Sequence, residues 1–370
     1  MENFDKELNM KKLPPDIPVE NIETRRVLKK LTNTRAALAE LKGITPTIPN
    51  QNILVETLSL QEAKDSSEIE NIITTHDELY RSDKRAKSFA SSAAKEVHSY
   101  ADALKQGFKE VKENQVITVN TILRVQKIIE ENEAGIRKLP GTILKDAFGN
   151  VVYEPPQDYD TIMDLLGNLE WFINKPDAWD ADPLVKMALI HYQFESIHPF
   201  YDGNGRTGRV INILYLVMND LLNLPILYLS RYIIRNRQDY YYHLQNTREN
   251  DDWEAWVMYM LNAVEVTSKE TCMMVNSIKE LMAAYKQKIR TSMPKIYSQD
   301  LINNLFRHPY TKTSWLAEEL NVSKMTAIRY LDKLTEEGML NCERVGRTNY
   351  YINEPLFALL VEKKKEKYGQ

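Results

Sequence analysis

Residues 182–209 read DPLVKMALIHYQFESIHPFYDGNGRTGR. The run opens on Asp182-Pro183, an acidic cap followed by proline at the first helical position. Leu184–Ile197 is apolar almost all round, which predicts a buried helix. That helix must stop at His198-Pro199, because proline cannot continue it and biases the preceding residue toward extended geometry. His198 is thus placed at a helix exit, its imidazole free to face a cleft. Gly203 and Gly205 then flank Asn204, the residue types that best tolerate left-handed backbone. Such a turn points successive N–H groups inward as an anion nest. A new helix from about Arg206 adds its positive end at the same spot. Arg206 and Arg209, three apart, share a helix face. Asp202 supplies one carboxylate, suited to a Mg2+ already held by phosphates. Nest, helix end, two arginines and one acid within so short a stretch describe a nucleotide polyphosphate site.

Working outward, Val210–Leu229 is the most apolar stretch, but Asn212, Asn219, Asp220, Asn223 and Pro225 suit buried core rather than a membrane span. No glycine occurs between Gly208 and Gly338, and apolar residues there recur at three- and four-residue spacing, so the segment reads as helices. Much of residues 20–135 reads likewise, as in Glu56–Ile73 and Lys87–Val111. The fold class is therefore mainly α. Leu139–Pro156, LPGTILKDAFGNVVYEPP, differs: a Gly-Asn turn between β-branched runs, ended by Pro-Pro, signals a β-hairpin. Such a hairpin either connects elements or offers an edge to an extended peptide.

Tyr297–Asn353 reads as a separate small domain. A short helix, Thr313–Leu320, is followed by the turn Asn321-Val322-Ser323, with Ser323 as N-cap. A second helix, Lys324–Glu337, carries Ile328, Leu331 and Leu334 on one face and stops at Gly338. Met339–Val345 and Thr348–Ile352 form strands around Gly346-Arg347. Helix, turn, helix and wing give a winged helix-turn-helix pattern. Lys324, Thr326, Arg329 and Lys333, with Arg344 and Arg347 on the wing, are placed to meet DNA; a protein partner fits the same pattern.

The 370 residues carry a formal charge of −4, with 43% hydrophobic and 27% charged residues, as in ordinary globular chains. That composition excludes a disordered or low-complexity chain, and any nucleic-acid surface must be local. Two cysteines, Cys272 and Cys342, are too few for a disulfide framework or a Cys-rich zinc site, and a reducing compartment fits them. The first twenty residues show no apolar h-region, so a cytoplasmic location is expected.

The string His198-Pro-Phe-Tyr-Asp-Gly-Asn-Gly-Arg-Thr-Gly-Arg209 resembles the defining motif of Fic domains at every key position. His191–Ile197 resembles the family's approach helix, and Glu62–Asn71 resembles the N-terminal region that accompanies many Fic domains. The resemblance implies transfer of AMP from ATP to a Tyr, Ser or Thr hydroxyl of a target protein, with release of pyrophosphate. It assigns His198 as the base and Asp202 as the Mg2+ ligand. The amides of Gly203, Asn204 and Gly205 would cradle the phosphates, and Arg206 and Arg209 would clamp their far end. Leu139–Tyr153 would be the flap that aligns the target as an added strand. Tyr240-Tyr241 and Leu244 resemble an adenine-side wall, with Tyr241 in contact with ATP.

Ser66-Ser-Glu-Ile-Glu70-Asn71 matches the family's inhibitory pattern, in which Glu70 pairs with Arg209 and Ser66 lies one helical turn before it. A carboxylate and a γ-phosphate cannot both have Arg209's best bidentate geometry. The resemblance thus implies a braked adenylyltransferase. Two alternatives remain open at this point: removal of AMP, with Glu70 positioning water, and a DNA-binding regulator whose Fic domain senses nucleotide. Dimers are common among such relatives, although no sequence feature specifies one here. The expected units are an N-terminal helical region (1–110), a catalytic core (111–265), a helical linker (266–296) and the winged domain (297–370).

Overall fold

The computed structural model describes residues 10–82, 88–145 and 148–361. Lys87 of one expected helix, Asp146-Ala147 of the hairpin, and the chain ends assigned to the first and last expected units lie outside these residues.

The N-terminal part comprises α1 (Val19–Ile22), α2 (Arg25–Ile44), α3 (Asn52–Ile69) and α4 (His76–Arg81). Next come α5 (Ser92–Asn114), α6 (Val119–Glu130) and a hairpin of β1 (Leu144–Lys145) with β2 (Val151–Tyr153). The central bundle continues with α7 (Tyr159–Asn174), α8 (Pro183–Ile197), α9 (Asn204–Met218), α10 (Leu229–Arg235) and α11 (Arg237–Asn250). The long α12 (Trp253–Ser292) runs back along α2 and leads out of the bundle. The C-terminal unit holds α13 (Gln299–Arg307), β3 (Tyr310–Thr311), α14 (Thr313–Glu319), α15 (Lys324–Glu336), β4 (Asn341–Val345), β5 (Thr348–Ile352) and α16 (Glu354–Leu360). Its strands form an antiparallel sheet in the order β3-β5-β4. The architecture is mainly α, with two small antiparallel sheets.

The core centres on α8 and α9, which pack on each other with α5 and α6 against α9. Leu184, Met187, Leu189, Phe194 and Ile197 of α8 are fully buried, as a helix apolar on all sides requires. Its start is as the sequence reads: the Asp182 side chain accepts from Leu184 N at 2.8 Å, and Pro183 follows. No helix among the described residues is long and apolar enough to cross a membrane.

Several boundaries differ from the sequence reading. The helix expected over Glu56–Ile73 is α3, which ends at Ile69; Glu70 caps it, Asn71 turns left-handed (φ 63°), and Ile73 lies outside and exposed. The helix expected from about Arg206 starts at Asn204, because Gly203 takes the N-cap at φ 79°. In α15, Ser323 caps Thr326 N as expected, but Ala327 joins Leu331 and Leu334 in the buried stripe, and Ile328 is only half-buried.

Candidate active site

The site is built where α8 ends and α9 begins. His198 sits in the left-handed region (φ 48°), its N–H donating to the Phe194 carbonyl at 3.0 Å. A non-glycine residue there is uncommon, and the surroundings hold it. The brace is Arg137, fully buried. Its Nε donates to the His198 carbonyl at 2.8 Å, its Nη2 donates to the Pro156 carbonyl, and its N–H donates to the Pro199 carbonyl at 2.9 Å. One guanidinium thus ties the helix exit to the base of the hairpin. Burial lowers the His198 pKa to about 4, helped by Arg137 and opposed by the Glu195 carbonyl and Glu70. The ring is neutral at pH 7.

The loop that follows is closed by its own side chains. Asn204 Oδ1 accepts from Phe200 N at 2.9 Å, and its Nδ2 donates to the Phe200 carbonyl at 2.8 Å. Asp202 Oδ1 accepts from Gly203 N at 2.7 Å. The Gly203 amide is therefore engaged by Asp202, and the nest narrows to the first-turn N–H groups of α9, which lack helical partners by geometry. Gly203 is also required sterically, since a Cβ there would collide with Glu130. The exposed Asp202 carboxylate fits one ligand position of a phosphate-bound Mg2+. Among the described residues no cluster of three His, Cys, Asp or Glu side chains could hold a metal by itself.

The two motif arginines are buried and face different partners. Arg206 Nη2 donates to Glu130 Oε1 at 2.6 Å and Nη1 to Glu96 Oε2 at 3.3 Å. Arg209 Nε donates to Ser66 Oγ at 2.8 Å; its Nη2 donates to the Ser66 carbonyl at 3.0 Å and to Glu70 Oε1 at 2.7 Å. Burial pushes the Glu70 pKa upward, but Arg209, then Arg206 and Arg237, bring it below the ordinary value, so the carboxylate is ionised. Glu70 Oε1 also fills the space that a Cβ at Gly205 would need.

Behind this contact lies a buried network. Glu62, two turns before Glu70 on α3, accepts from Ser230 N at 3.0 Å, from Tyr100 Oη at 3.1 Å and from the Ser230 hydroxyl. Burial raises the Glu62 pKa to about 8. Glu195, one turn before His198, is buried as well, and its pKa rises to about 7 for the same reason.

The hairpin pairs Leu144 with Tyr153 and Lys145 with Val151. Tyr153 anchors it: its hydroxyl donates to the Ser196 carbonyl at 2.8 Å, and Arg248 lies 4.0 Å from the ring centre. Phe148, Val151 and Val152 are exposed. Of the expected adenine-side wall, Tyr240 and Leu244 are buried, Tyr240 with its hydroxyl 2.9 Å from His191 Nε2. Tyr241 is half-exposed, and its hydroxyl pKa is raised by burial and then by Glu70, which places it beside the Glu70–Arg209 contact. Arg137, Glu130, Glu96, Glu62 and Glu195 were not singled out from sequence. Glu195 lies within the quoted motif run, and its apolar neighbours were the available signal.

The site thus joins a histidine at one helix exit to a glycine-rich turn at the next helix start, within a helical bundle. Comparison with known proteins gives the family. Residues 28–109 match the Fic/DOC family N-terminal model, and 110–216 match the Fic/DOC family model. Residues 281–356 match the model described as protein adenylyltransferase SoFic-like, C-terminal domain. The chain belongs to the Fic/DOC family. It is 32% identical over 113 residues to "Protein adenylyltransferase Fic" of Drosophila grimshawi, and that match spans 30% of this chain but only 22% of the fly protein. A crystal structure of a Fic family protein from Desulfovibrio desulfuricans superposes with a TM-score of 0.57 at 20% identity, covering 89% of this chain and 96% of that one. A Fic domain containing signaling protein from Bacteroides thetaiotaomicron gives 0.55 at 16% identity, covering 67% and 97%. These likenesses show the fold.

Proposed function

We propose that the protein is an adenylyltransferase that moves AMP from ATP to a hydroxyl of a target protein, restrained by its own Glu70. The observation that carries the reading is the ion pair between Glu70 and Arg209, inside a complete Fic motif.

His198 Nδ1 is sealed from solvent, which leaves Nε2 as the nitrogen for a substrate. Neutral at pH 7, it accepts the proton as the target oxygen bonds to the α-phosphorus and the bond to the pyrophosphate oxygen breaks. General-base catalysis of this kind is worth about 10²–10⁴ in rate. The first-turn amides of α9 and the arginines orient and neutralise the phosphates, which is most of what phosphoryl-type transfer asks of a protein. Asp202 would hold Mg2+ on those phosphates, and that ion would neutralise charge. Arg209 is engaged by Glu70, so it must turn from that acid to the nucleotide before it can clamp, whereas Arg206 stays held by Glu130. The exposed hairpin residues Val151 and Val152 provide an edge on which an extended target segment can add as a strand.

The experiment is label transfer to a cell lysate with Mg2+ and ATP labelled at the α or the γ phosphate, using Glu70→Gly with and without His198→Ala. Label from α alone, lost with His198→Ala, is the expected result. Label from γ would mean a kinase.

The C-terminal unit favours one additional role. Its α15 leaves Lys324, Met325 and Arg329 exposed, and Arg344 of β4 and Arg347 of the following turn are exposed. We read this face as a winged-helix surface for nucleic acid. Binding that weakens steeply with salt and is lost on changing Arg329 and Arg347 tests it.

A further inference from the structure

Away from the motif, a cavity of about 410 Å3 lies between the N-terminal helices and the C-terminal unit. Small-ligand pockets run to roughly 300–1,000 Å3. One wall is apolar and aromatic: Leu60, Leu79, Tyr80, Tyr310 and Trp315. The opposite chemistry comes from His98, Lys105, Arg307 and His308. The acids of the lining are already matched, Glu56 at 2.9 Å from Lys105 and Glu319 at 2.6 Å from Arg307. Burial lowers the His308 pKa to about 4; Glu56 opposes, and His98, Lys105 and Arg307 act with burial. Lys105 and Arg307 carry more N–H donors than their acid partners take up, and the neutral His308 ring lies with them beside the aromatic lining.

The cavity is connected to the brake. Glu56 and Leu60 belong to α3, whose end carries Ser66 and Glu70. The C-terminal unit also grips the chain on both sides of Glu70. Before it, Thr57 Oγ1 donates to the Arg307 carbonyl at 3.2 Å. After it, the Tyr310 hydroxyl donates to Asp77, Arg81 pairs with Glu343 at 2.7 Å, and the Tyr350 hydroxyl donates to the Arg81 carbonyl at 3.1 Å.

We propose that this cavity is an effector site for a small ring-bearing organic anion, a carboxylate or a phosphate monoester, and that its occupant reinforces the hold of Glu70 on Arg209. The ring lies against Trp315 and Tyr310, and the anion meets Lys105, Arg307 and the two imidazoles. The direction of the effect follows from linkage. The cavity exists in the arrangement where Glu70 holds Arg209, and a ligand that fits it favours that arrangement by its differential affinity. The effect on transfer rests on the adenylyltransferase reading, whereas binding and its effect on α3 do not.

The test uses the whole chain with phenyl phosphate and benzoate as probes, and with phenol and inorganic phosphate as half-probes. Calorimetry is expected to show saturable binding of at least one ring anion at millimolar concentration, and weaker binding of both half-probes. Trp315→Ala, and separately the pair Lys105→Gln with Glu56→Gln, should each weaken that binding about tenfold or more. Removing Lys105 and Glu56 together leaves neither with an unmatched charge and takes only a longer 3.6 Å contact from Asp102. Unliganded melting temperatures near wild type confirm that the variants are folded. Hydrogen exchange at residues 62–72 should slow in wild type with the bound probe, and α-label transfer should fall in wild type but not in Glu70→Gly. No saturable binding by either ring anion, or binding unchanged in both variants, overturns the site. Binding without slower exchange at 62–72 overturns its link to the brake. If Glu70→Gly transfers no label at all, the adenylyltransferase reading fails, while binding and exchange still decide the cavity.

Discussion

Two helices flanking the motif, α6 and α3, each seize one of its arginines with a carboxylate, and they do it differently. On the α6 side, Glu130 holds Arg206 and is itself nearly closed off, with 11% of its side chain exposed. It also rests against Gly203, at the turn that defines the site. On the α3 side, Glu70 holds Arg209 from a helix cap, with 35% of its side chain exposed, followed at once by the left-handed Asn71 and a non-helical stretch to α4. The α6 contact is built into the scaffold. The α3 contact stands at the end of a helix, where the chain leaves regular structure. On the proposed function, a carboxylate on an arginine is structural in one place and regulatory in the other, and what separates them is how the acid's own backbone is held.

The harshest way to break this comparison is to delete the scaffold acid. Glu130→Ala leaves Arg206 buried with only the longer contact to Glu96, and removing one partner of a buried pair costs about 3–5 kcal/mol. We expect a large fall in denaturation midpoint and no gain in α-label transfer. A gain would place both acids in the same regulatory class. Next comes the brace. Arg137→Met leaves the carbonyls of His198 and Pro156 without their donor, at about 1–3 kcal/mol for each unsatisfied group. Stability should drop, and the transfer measured in Glu70→Gly should fall with it, since His198 loses its held geometry.

A subtler effect distinguishes the two sides electrostatically. His198 titrates at about 4, and Glu70 is one of the groups that raise it. Glu70→Gly should lower the His198 pKa further, so the neutral ring persists to still lower pH. NMR titration of the imidazole checks this, and an upward movement would contradict the electrostatic reach of Glu70 to His198. The smallest expected effect is at the cap. Asn71 sits at φ 63°, where a Cβ costs roughly 1–2 kcal/mol unless a short polar side chain compensates. Asn71→Gly should leave thermal stability near wild type, and Asn71→Ala should lower it by about 1 kcal/mol.

What was legible in the sequence was local. Asp182-Pro183 marks where α8 begins, and His198-Pro199 marks where it ends, because caps and proline act over a few residues. The match of Glu70 to Arg209 was legible only through resemblance, since nothing in the spacing of α3 points 139 residues ahead. Glu130 and Glu96 lie 76 and 110 residues from Arg206, and their side chains carry no mark that separates them from solvent-facing glutamates. Arg137 reads as an ordinary basic residue before a loop; only the fold turns it inward to three backbone carbonyls. The start of α9 was misplaced by two residues because Gly203, read as part of a nest, is the N-cap instead.

The central claim is that Glu70 withholds Arg209 from the nucleotide, and the rate of α-label transfer in wild type and Glu70→Gly at matched, saturating ATP tests it most directly. Restoring a charge-assisted contact worth about 1.5–3 kcal/mol predicts a rise of about 10–150-fold in Glu70→Gly. Equal rates in the two proteins, with Glu70→Gly folded and binding ATP, would contradict the account.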